Sequence, residues 1–150
     1  MRNAVALEDD MASSTSRSLV SEISELAKAR LSLMALLTTY IGFHLGASGG
    51  AGQLGTLVAT LLGSAALAAS AGALNQVFER SFDARMDRTQ DRPLVTGTLS
   101  VTFATWFGAL LFVFGAGLLA IGANLLTCFL GVATVVSYLW IYTPLKRRTT

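Results

Sequence analysis

Residues 54–92 read LGTLVATLLGSAALAASAGALNQVF-ERSFDARMDRTQDR, a long uncharged run followed by a segment dense in charge. The run carries no formal charge from Leu54 to Phe78, and it is long enough to cross the roughly 30 Å apolar layer of a bilayer as a helix. The charges that follow, four acidic and four basic, lie between Glu79 and Arg92. This boundary predicts a membrane helix that emerges into the polar interface at its carboxyl end.

The charges of the whole chain are confined to three regions. Of the 150 residues, 53% are hydrophobic and only 13% are charged, whereas soluble domains carry about 25% charged residues. Every Lys, Arg, Asp and Glu lies in residues 1–30, 79–92 or 146–148. The uncharged stretches between these regions, residues 31–78 and 93–145, are each long enough for two membrane helices and a turn. We therefore predict an all-α integral membrane bundle with four transmembrane helices.

The predicted organisation begins with two segments outside the bilayer. Residues 1–18 are rich in Ser, Thr and Ala without periodicity, which predicts a disordered tail. Residues 19–30 have the spacing of a short amphipathic helix, either in the membrane interface or as a solvated lead-in to the first span. The membrane domain, 31–150, has predicted spans at about 31–47, 54–78, 101–121 and 125–142. Because the second span is crowded with small residues, which let helices approach closely in lipid, we expect it to be central.

The basic residues predict the orientation in the membrane. All 11 lie in the N-terminal region, the central charged segment or the C-terminus, and two spans separate each region from the next. The positive-inside rule then predicts that the N-terminus, the 79–100 loop and the C-terminus are cytoplasmic. We expect the membrane to be the cell (inner) membrane. The same rule explains the net charge of +2 without a nucleic-acid partner.

Acidic and amide side chains recur every four residues around the end of the second predicted span: Asn75, Glu79, Asp83 and Asp87. Residues four apart lie on one face of a helix, and oxygen ligands without Cys or His favour a hard cation such as Mg²⁺. Interleaved with them are the arginines at 80, 85, 88 and 92, whose planar forks suit phosphate oxygens. The pattern indicates a site for a metal-bound diphosphate. A solvated loop whose opposite charges pair with one another is the alternative.

Three blocks of this sequence resemble one enzyme family. They are Gly72-Ala-Leu-Asn75 with Glu79-Arg80, Asp83-Ala84, Met86, Arg88-Thr89, Arg92-Pro93-Leu94 and Gly97; the stretch from Leu26 to Thr39; and Tyr142-Thr-Pro-Leu-Lys146-Arg-Arg-Thr. The first block resembles the first aspartate-rich motif of the UbiA superfamily of intramembrane prenyltransferases. Together the three blocks resemble the protohaem IX farnesyltransferases, or haem O synthases, within it. The chain departs from the family pattern at Ala29, where Pro is usual, at Glu79, where Asp is commoner, and at Ser81, where many relatives have Asp.

The resemblance implies a reaction and a set of functional residues. The reaction is transfer of a farnesyl group from farnesyl diphosphate to a vinyl group of protohaem IX, which makes haem O on the route to haem A. By resemblance, the catalytic residues are Asn75, Glu79 and Asp83; the metal ligands are the same three and Asp87; the substrate-binding residues are Arg80, Arg88, Arg92, Tyr142 and Lys146. Mg²⁺ is the implied cofactor, and the implied partners are farnesyl diphosphate, protohaem IX and the lipid bilayer.

The resemblance also implies that the chain is half of an enzyme. Family members are about twice as long, with nine helices and a second aspartate-rich motif in the half that has no counterpart here. We therefore expect the chain to be inactive alone, and we name that missing half and haem A synthase as candidate protein partners.

Other functions remain open from the residues. A related prenyltransferase acting on a quinone precursor would share the acidic motif. A four-span transporter would need a carboxylate within a span, and the predicted spans contain none. A non-catalytic assembly subunit would tolerate loss of the acidic residues.

Overall fold

The structure is a computed structural model that describes residues 29–46, 53–87, 89–90 and 92–146, without the side chains of 29–31 and 146. The predicted N-terminal tail, most of the predicted amphipathic segment and the turn between the first two spans lie outside the described residues.

The described part of the chain forms helices and no strands. In order these are α1 (Ala29–Gly46), α2 (Gln53–Asp83), α3 (Pro93–Thr96), α4 (Val101–Gly122) and α5 (Leu125–Ser137), which continues through a π-helical turn (Tyr138–Tyr142) into α6 (Thr143–Lys146). Three helices, α2, α4 and the continuous helix at Leu125–Leu145, are long and apolar enough to cross a membrane, and Ser32–Gly46 is a shorter apolar helix. The predicted all-α membrane bundle is confirmed, and the protein is a multi-pass membrane protein.

Helix α2 is the centre of the bundle, and it contacts α1, α3, α4, α5 and the π-helical turn. Its 31 residues form a helix about 46 Å long at 1.5 Å per residue. Because the apolar layer is only roughly 30 Å thick, the last turns of α2 extend beyond it. The helix continues past the predicted end of this span at Phe78 and ends at Asp83.

Helix α4 packs antiparallel against α2 through small residues. A Cβ atom added to Gly115 would lie only 2.8 Å from the backbone oxygen of Gly63. Further along the same interface, the buried Ser70 hydroxyl donates a hydrogen bond of 2.7 Å to the backbone oxygen of Gly108. Such close approach stabilises helix pairs in lipid, where packing and interhelical hydrogen bonds replace the hydrophobic effect.

The segment between α2 and α4 folds back onto the end of α2. Leu94 and Leu99 are buried in a small apolar cluster with residues of α2 and α4. Gly97 ends α3 with φ of +81°, the left-handed conformation that favours glycine. Ser100 is the N-cap of α4, and its side chain accepts a hydrogen bond from the backbone N–H of Phe103. The predicted cytoplasmic loop is therefore, where described, a packed cap.

A widened turn interrupts the last long helix. The backbone N–H of Thr143 bonds to the backbone oxygen of Tyr138, five residues earlier. Pro144 follows, and a proline has no N–H and in a regular α-helix its ring would meet the carbonyl four residues back. Single π-helical turns of this kind occur frequently at functional sites. The sequence predicted no such turn, and it placed the end of the fourth span at 142, whereas the helix continues to Lys146.

Candidate functional site

Buried polar side chains gather where the carboxyl end of α2 meets the π-helical turn. Asn75, Glu79 and Asp83 of α2 are between 2% and 5% exposed, and Thr143 is 1% exposed. Burial of such groups is costly unless they are hydrogen-bonded. Their partners therefore determine what the site can do.

Thr143, Asn75 and Glu79 form a chain of hydrogen bonds. The Asn75 Nδ2 atom donates to Glu79 Oε2 at 2.8 Å. The Thr143 hydroxyl donates to Asn75 Oδ1 at 2.7 Å, across 68 residues of sequence. The four-residue spacing of Asn75 and Glu79 thus brings them together as predicted. The sequence did not predict Thr143, although a hydroxyl at the end of an apolar span, next to a proline, was a signal that could have found it.

Asp83 has a different partner. Its Oδ2 atom forms an ion pair with Arg92 Nη1, and its backbone oxygen accepts a hydrogen bond of 3.0 Å from the Thr89 hydroxyl. These contacts turn the chain back at the end of α2. As a result Asp87 lies beyond the helix and is exposed, so the predicted helical face of four residues ends at the third. A metal-binding role for Asp87 stays a prediction.

The residues predicted to bind diphosphate are only partly brought to this site. Arg80 is exposed, and its Nε atom donates to the backbone oxygen of Leu94 at 2.7 Å, which ties the cap to α2. Tyr142 is 54% exposed and stacks on Tyr138, with ring centroids 5.4 Å apart. Arg88 and the Lys146 side chain lie outside the described residues. Arg92 does reach the site, where it contacts the predicted catalytic carboxylate of Asp83.

A largely apolar cavity of about 420 Å³ lies among α1, α2, α5 and the π-helical turn. Its lining includes Leu67 and Gly72 of α2, Val135 of α5 and Tyr138 of the π-helical turn. Gly72 is three residues before Asn75 on the same helix, and Tyr138 is the backbone partner of Thr143. The cavity thus lies about one helical turn from Asn75, and the four residues of the polar cluster are not part of its lining.

The oxygen atoms at this site suit a metal ion that is already partly coordinated by water and by the phosphates of a substrate. Among the described residues no three Asp, Glu, His or Cys side chains are grouped as a metal cage would require. The α2 end instead offers the carboxylates of Glu79 and Asp83, both hard oxygen donors, while the Asn75 amide oxygen accepts a hydrogen bond from Thr143. A metal-binding role for Asn75 stays a prediction. Mg²⁺ is commonly bound by one or two carboxylates, with waters and substrate phosphates completing its octahedron. The residues present therefore fit a Mg²⁺–diphosphate complex and do not form a closed protein site for the ion.

Comparisons with known proteins point to one family. The family model described as the UbiA prenyltransferase family matches residues 35–150. The chain is 44% identical to the protoheme IX farnesyltransferase of Myxococcus xanthus over 129 residues, which cover 86% of this chain and 43% of that protein. It is 42% identical to the mitochondrial protoheme IX farnesyltransferase of Arabidopsis thaliana, over 82% of this chain and 28% of that protein. The chain thus spans less than half the length of these curated relatives, and no solved structure matches it.

Proposed function

The chain belongs to the UbiA prenyltransferase family, and we propose that it forms the first half of a protohaem IX farnesyltransferase. The assignment to the family agrees with the resemblance of the three sequence blocks. The farnesyltransferase activity is supported by the relatives at 42% and 44% identity that carry that name. The observation that carries the proposal is the buried carboxyl end of α2, where Glu79 and Asp83 are both held by defined partners. An apolar cavity is lined by residues of the same helix up to Gly72.

The proposed reaction needs a good leaving group and a site that keeps water away from the farnesyl carbocation. The bond between C1 of farnesyl diphosphate and its oxygen breaks, and the diphosphate leaves with the electron pair. A vinyl carbon of protohaem then bonds to C1, which leaves a cation on the neighbouring carbon. Water adds there and loses a proton, so that the product carries a hydroxyethylfarnesyl group. Water must be excluded until the carbon–carbon bond has formed.

The residues of α2 would hold the diphosphate end. Bound Mg²⁺ would neutralise charge on the departing diphosphate. Glu79, oriented by Asn75, and Asp83 are the proposed ligands, and Asp83 is presently neutralised by Arg92. When the diphosphate binds, the Arg92 side chain would move from Asp83 to the diphosphate. Two phosphate oxygens could then accept hydrogen bonds from its guanidinium group, a bidentate arrangement that suits arginine. Asp83 would then be free for the cation.

The cavity would hold the apolar part of the substrate. Its lining is mainly aliphatic and small, and it includes Gly72, three residues before Asn75 on α2. We propose that a prenyl chain anchored by its diphosphate at the polar cluster would extend past Gly72 into this cavity. The proposed location is the inner membrane, with the polar cluster at the cytoplasmic end, because residues 79–92 carry four of the chain's basic residues. The missing C-terminal half and haem A synthase remain the proposed protein partners.

The test is a complementation assay. The chain is produced alone, and also with the portion of the Myxococcus xanthus relative that lies beyond the aligned region, in membranes supplied with farnesyl diphosphate, Mg²⁺ and protohaem. We expect haem O, detected by chromatography and mass, only from the combination. Replacing Glu79 by Gln should lower its formation by at least about a hundredfold, the lower range for an essential electrostatic group. The same substitution at Glu22, in the predicted amphipathic segment, is the control.

An acceptor comparison separates this proposal from the nearest alternative. The same membranes receive 4-hydroxybenzoate in place of protohaem. Prenylation of 4-hydroxybenzoate without haem O formation would reassign the chain to an enzyme of a quinone pathway. Failure of both acceptors, with both halves present and folded, would contradict the prenyltransferase proposal.

A further inference from the structure

We infer that Thr143 is a positioning residue for the metal–diphosphate site, acting through Asn75. The inference rests on the proposed function, which assigns Asn75 and Glu79 to that site. Thr143 belongs to a different helix from both residues, and its side chain is 1% exposed. The hydroxyl anchors the oxygen of the Asn75 amide, and the NH₂ group of that amide in turn holds the Glu79 carboxylate.

The direction of the hydrogen bonds follows from what each group can donate. An ionised Glu79 carboxylate only accepts, so Asn75 must present its NH₂ group to it. The Asn75 Oδ1 atom then faces Thr143, whose hydroxyl supplies the donor at 2.7 Å. The backbone oxygen of Tyr138 lies 2.9 Å from the same hydroxyl. If the hydroxyl proton pointed only to Tyr138, the Asn75 oxygen would lose its donor, and Glu79 alone would hold the amide.

The π-helical turn is what aims Thr143 at α2. Successive residues of an α-helix are rotated by about 100°, because there are 3.6 residues per turn. The extra residue in the turn at Tyr138–Tyr142 therefore re-aims every side chain after it. Without that turn, residue 143 would face a different direction. The widened turn thus brings a hydroxyl from the end of the second helical hairpin to the acidic end of the first.

The first experiment measures hydrogen exchange of the Asn75 side-chain amide by nuclear magnetic resonance. The chain contains three asparagines, at 3, 75 and 124, so protein labelled with ¹⁵N-asparagine gives a simple side-chain spectrum, in which loss of one signal pair in Asn75→Asp assigns it. In detergent micelles we expect Thr143→Val to speed hydrogen exchange of the Asn75 amide by about tenfold, which corresponds to roughly 1.4 kcal/mol. Thr143→Ser should restore the unaltered rate, because it keeps the hydroxyl.

A matched control separates positioning from general loosening. Ser70→Ala removes a buried interhelical hydrogen bond of the same 2.7 Å length, further from the acidic end of α2. We expect it to lower stability without changing the Asn75 amide. If Thr143→Val leaves Asn75 exchange unchanged, or if Ser70→Ala raises it equally, the inference is overturned.

The second experiment connects the amide to the metal. Binding of Mn²⁺ in the presence of inorganic pyrophosphate is followed by electron paramagnetic resonance in the same variants. We expect about tenfold weaker binding in Thr143→Val, and unaltered binding in Thr143→Ser and Ser70→Ala. Absence of Mn²⁺ binding by the unaltered chain would contradict the proposed function. Unaltered binding in Thr143→Val, with Mn²⁺ bound by the unaltered chain, would contradict the positioning role alone.

Discussion

Replacing Gly115 by alanine should force α2 and α4 apart. The added Cβ atom would lie 2.8 Å from the backbone oxygen of Gly63 and 3.0 Å from the backbone nitrogen of Leu67. Carbon–oxygen contacts between packed helices are normally no shorter than about 3.3 Å. Because both obstructing atoms belong to the backbone, a side-chain rotation cannot relieve the contact, and one helix must shift along several turns.

Gly117 provides the matched control for the size of this effect. It lies on the same helix two residues later, and a Cβ atom there would meet nothing within 4 Å among the described residues. Alanine at either position gains about 0.5–1 kcal/mol over glycine in a helix. The difference between Gly115→Ala and Gly117→Ala therefore isolates the overpacking cost, which is typically about 1–3 kcal/mol.

The assay is reversible unfolding in mixed detergent micelles with increasing fractions of dodecyl sulfate, followed by circular dichroism. We expect Gly117→Ala to be at least as stable as the unaltered chain and Gly115→Ala to be less stable than Gly117→Ala by about 1–3 kcal/mol. Equal free energies of unfolding for the two variants would refute the close approach of α2 and α4 described above.

Three further predictions concern polar contacts. Arg92→Ala should lower the free energy of unfolding by about 1–3 kcal/mol by leaving the buried Asp83 unpaired, and adding Asp83→Asn should recover most of that loss in the same titration. Arg80→Ala should speed backbone hydrogen exchange at Leu99, because Arg80 ties the cap to α2; exchange in the middle of α4, measured by mass spectrometry, should stay unchanged. Ser70→Ala should cost about 0.6 kcal/mol, the average for one interhelical hydrogen bond in a membrane, and a loss above 2 kcal/mol would contradict this.

The membrane helices could be predicted from the sequence because the bilayer imposes a simple rule. A segment must be uncharged and about 20 residues long to cross, and the positions of the charges therefore reveal where the apolar helices lie. The same rule does not locate helix ends, which explains why α2 continues past Phe78 to Asp83. Charged residues in the interface cost little and do not stop a helix.

Within the site, local spacing was predictable and partners distant in sequence were not. Asn75 and Glu79 are four residues apart on one helix, so their contact follows from helix geometry. The pairing of Asp83 with Arg92 depends on how the chain turns after α2, and the contact of Thr143 with Asn75 depends on a π-helical turn and on the packing of two hairpins. Neither arrangement follows from a repeat in the sequence.

The hydrogen bond between Thr143 and Asn75 has a consequence for biosynthesis. Synthesis runs from the N-terminus, so the ribosome adds Asn75 and completes α2 before it reaches Thr143, which lies 68 residues after Asn75. During that interval the Asn75 amide oxygen has to find water or another temporary partner at the membrane surface. Correct insertion of the second hairpin then supplies the permanent donor. A nascent chain whose second hairpin inserts wrongly would keep a hydrated polar helix end, a feature that a membrane chaperone or protease could recognise.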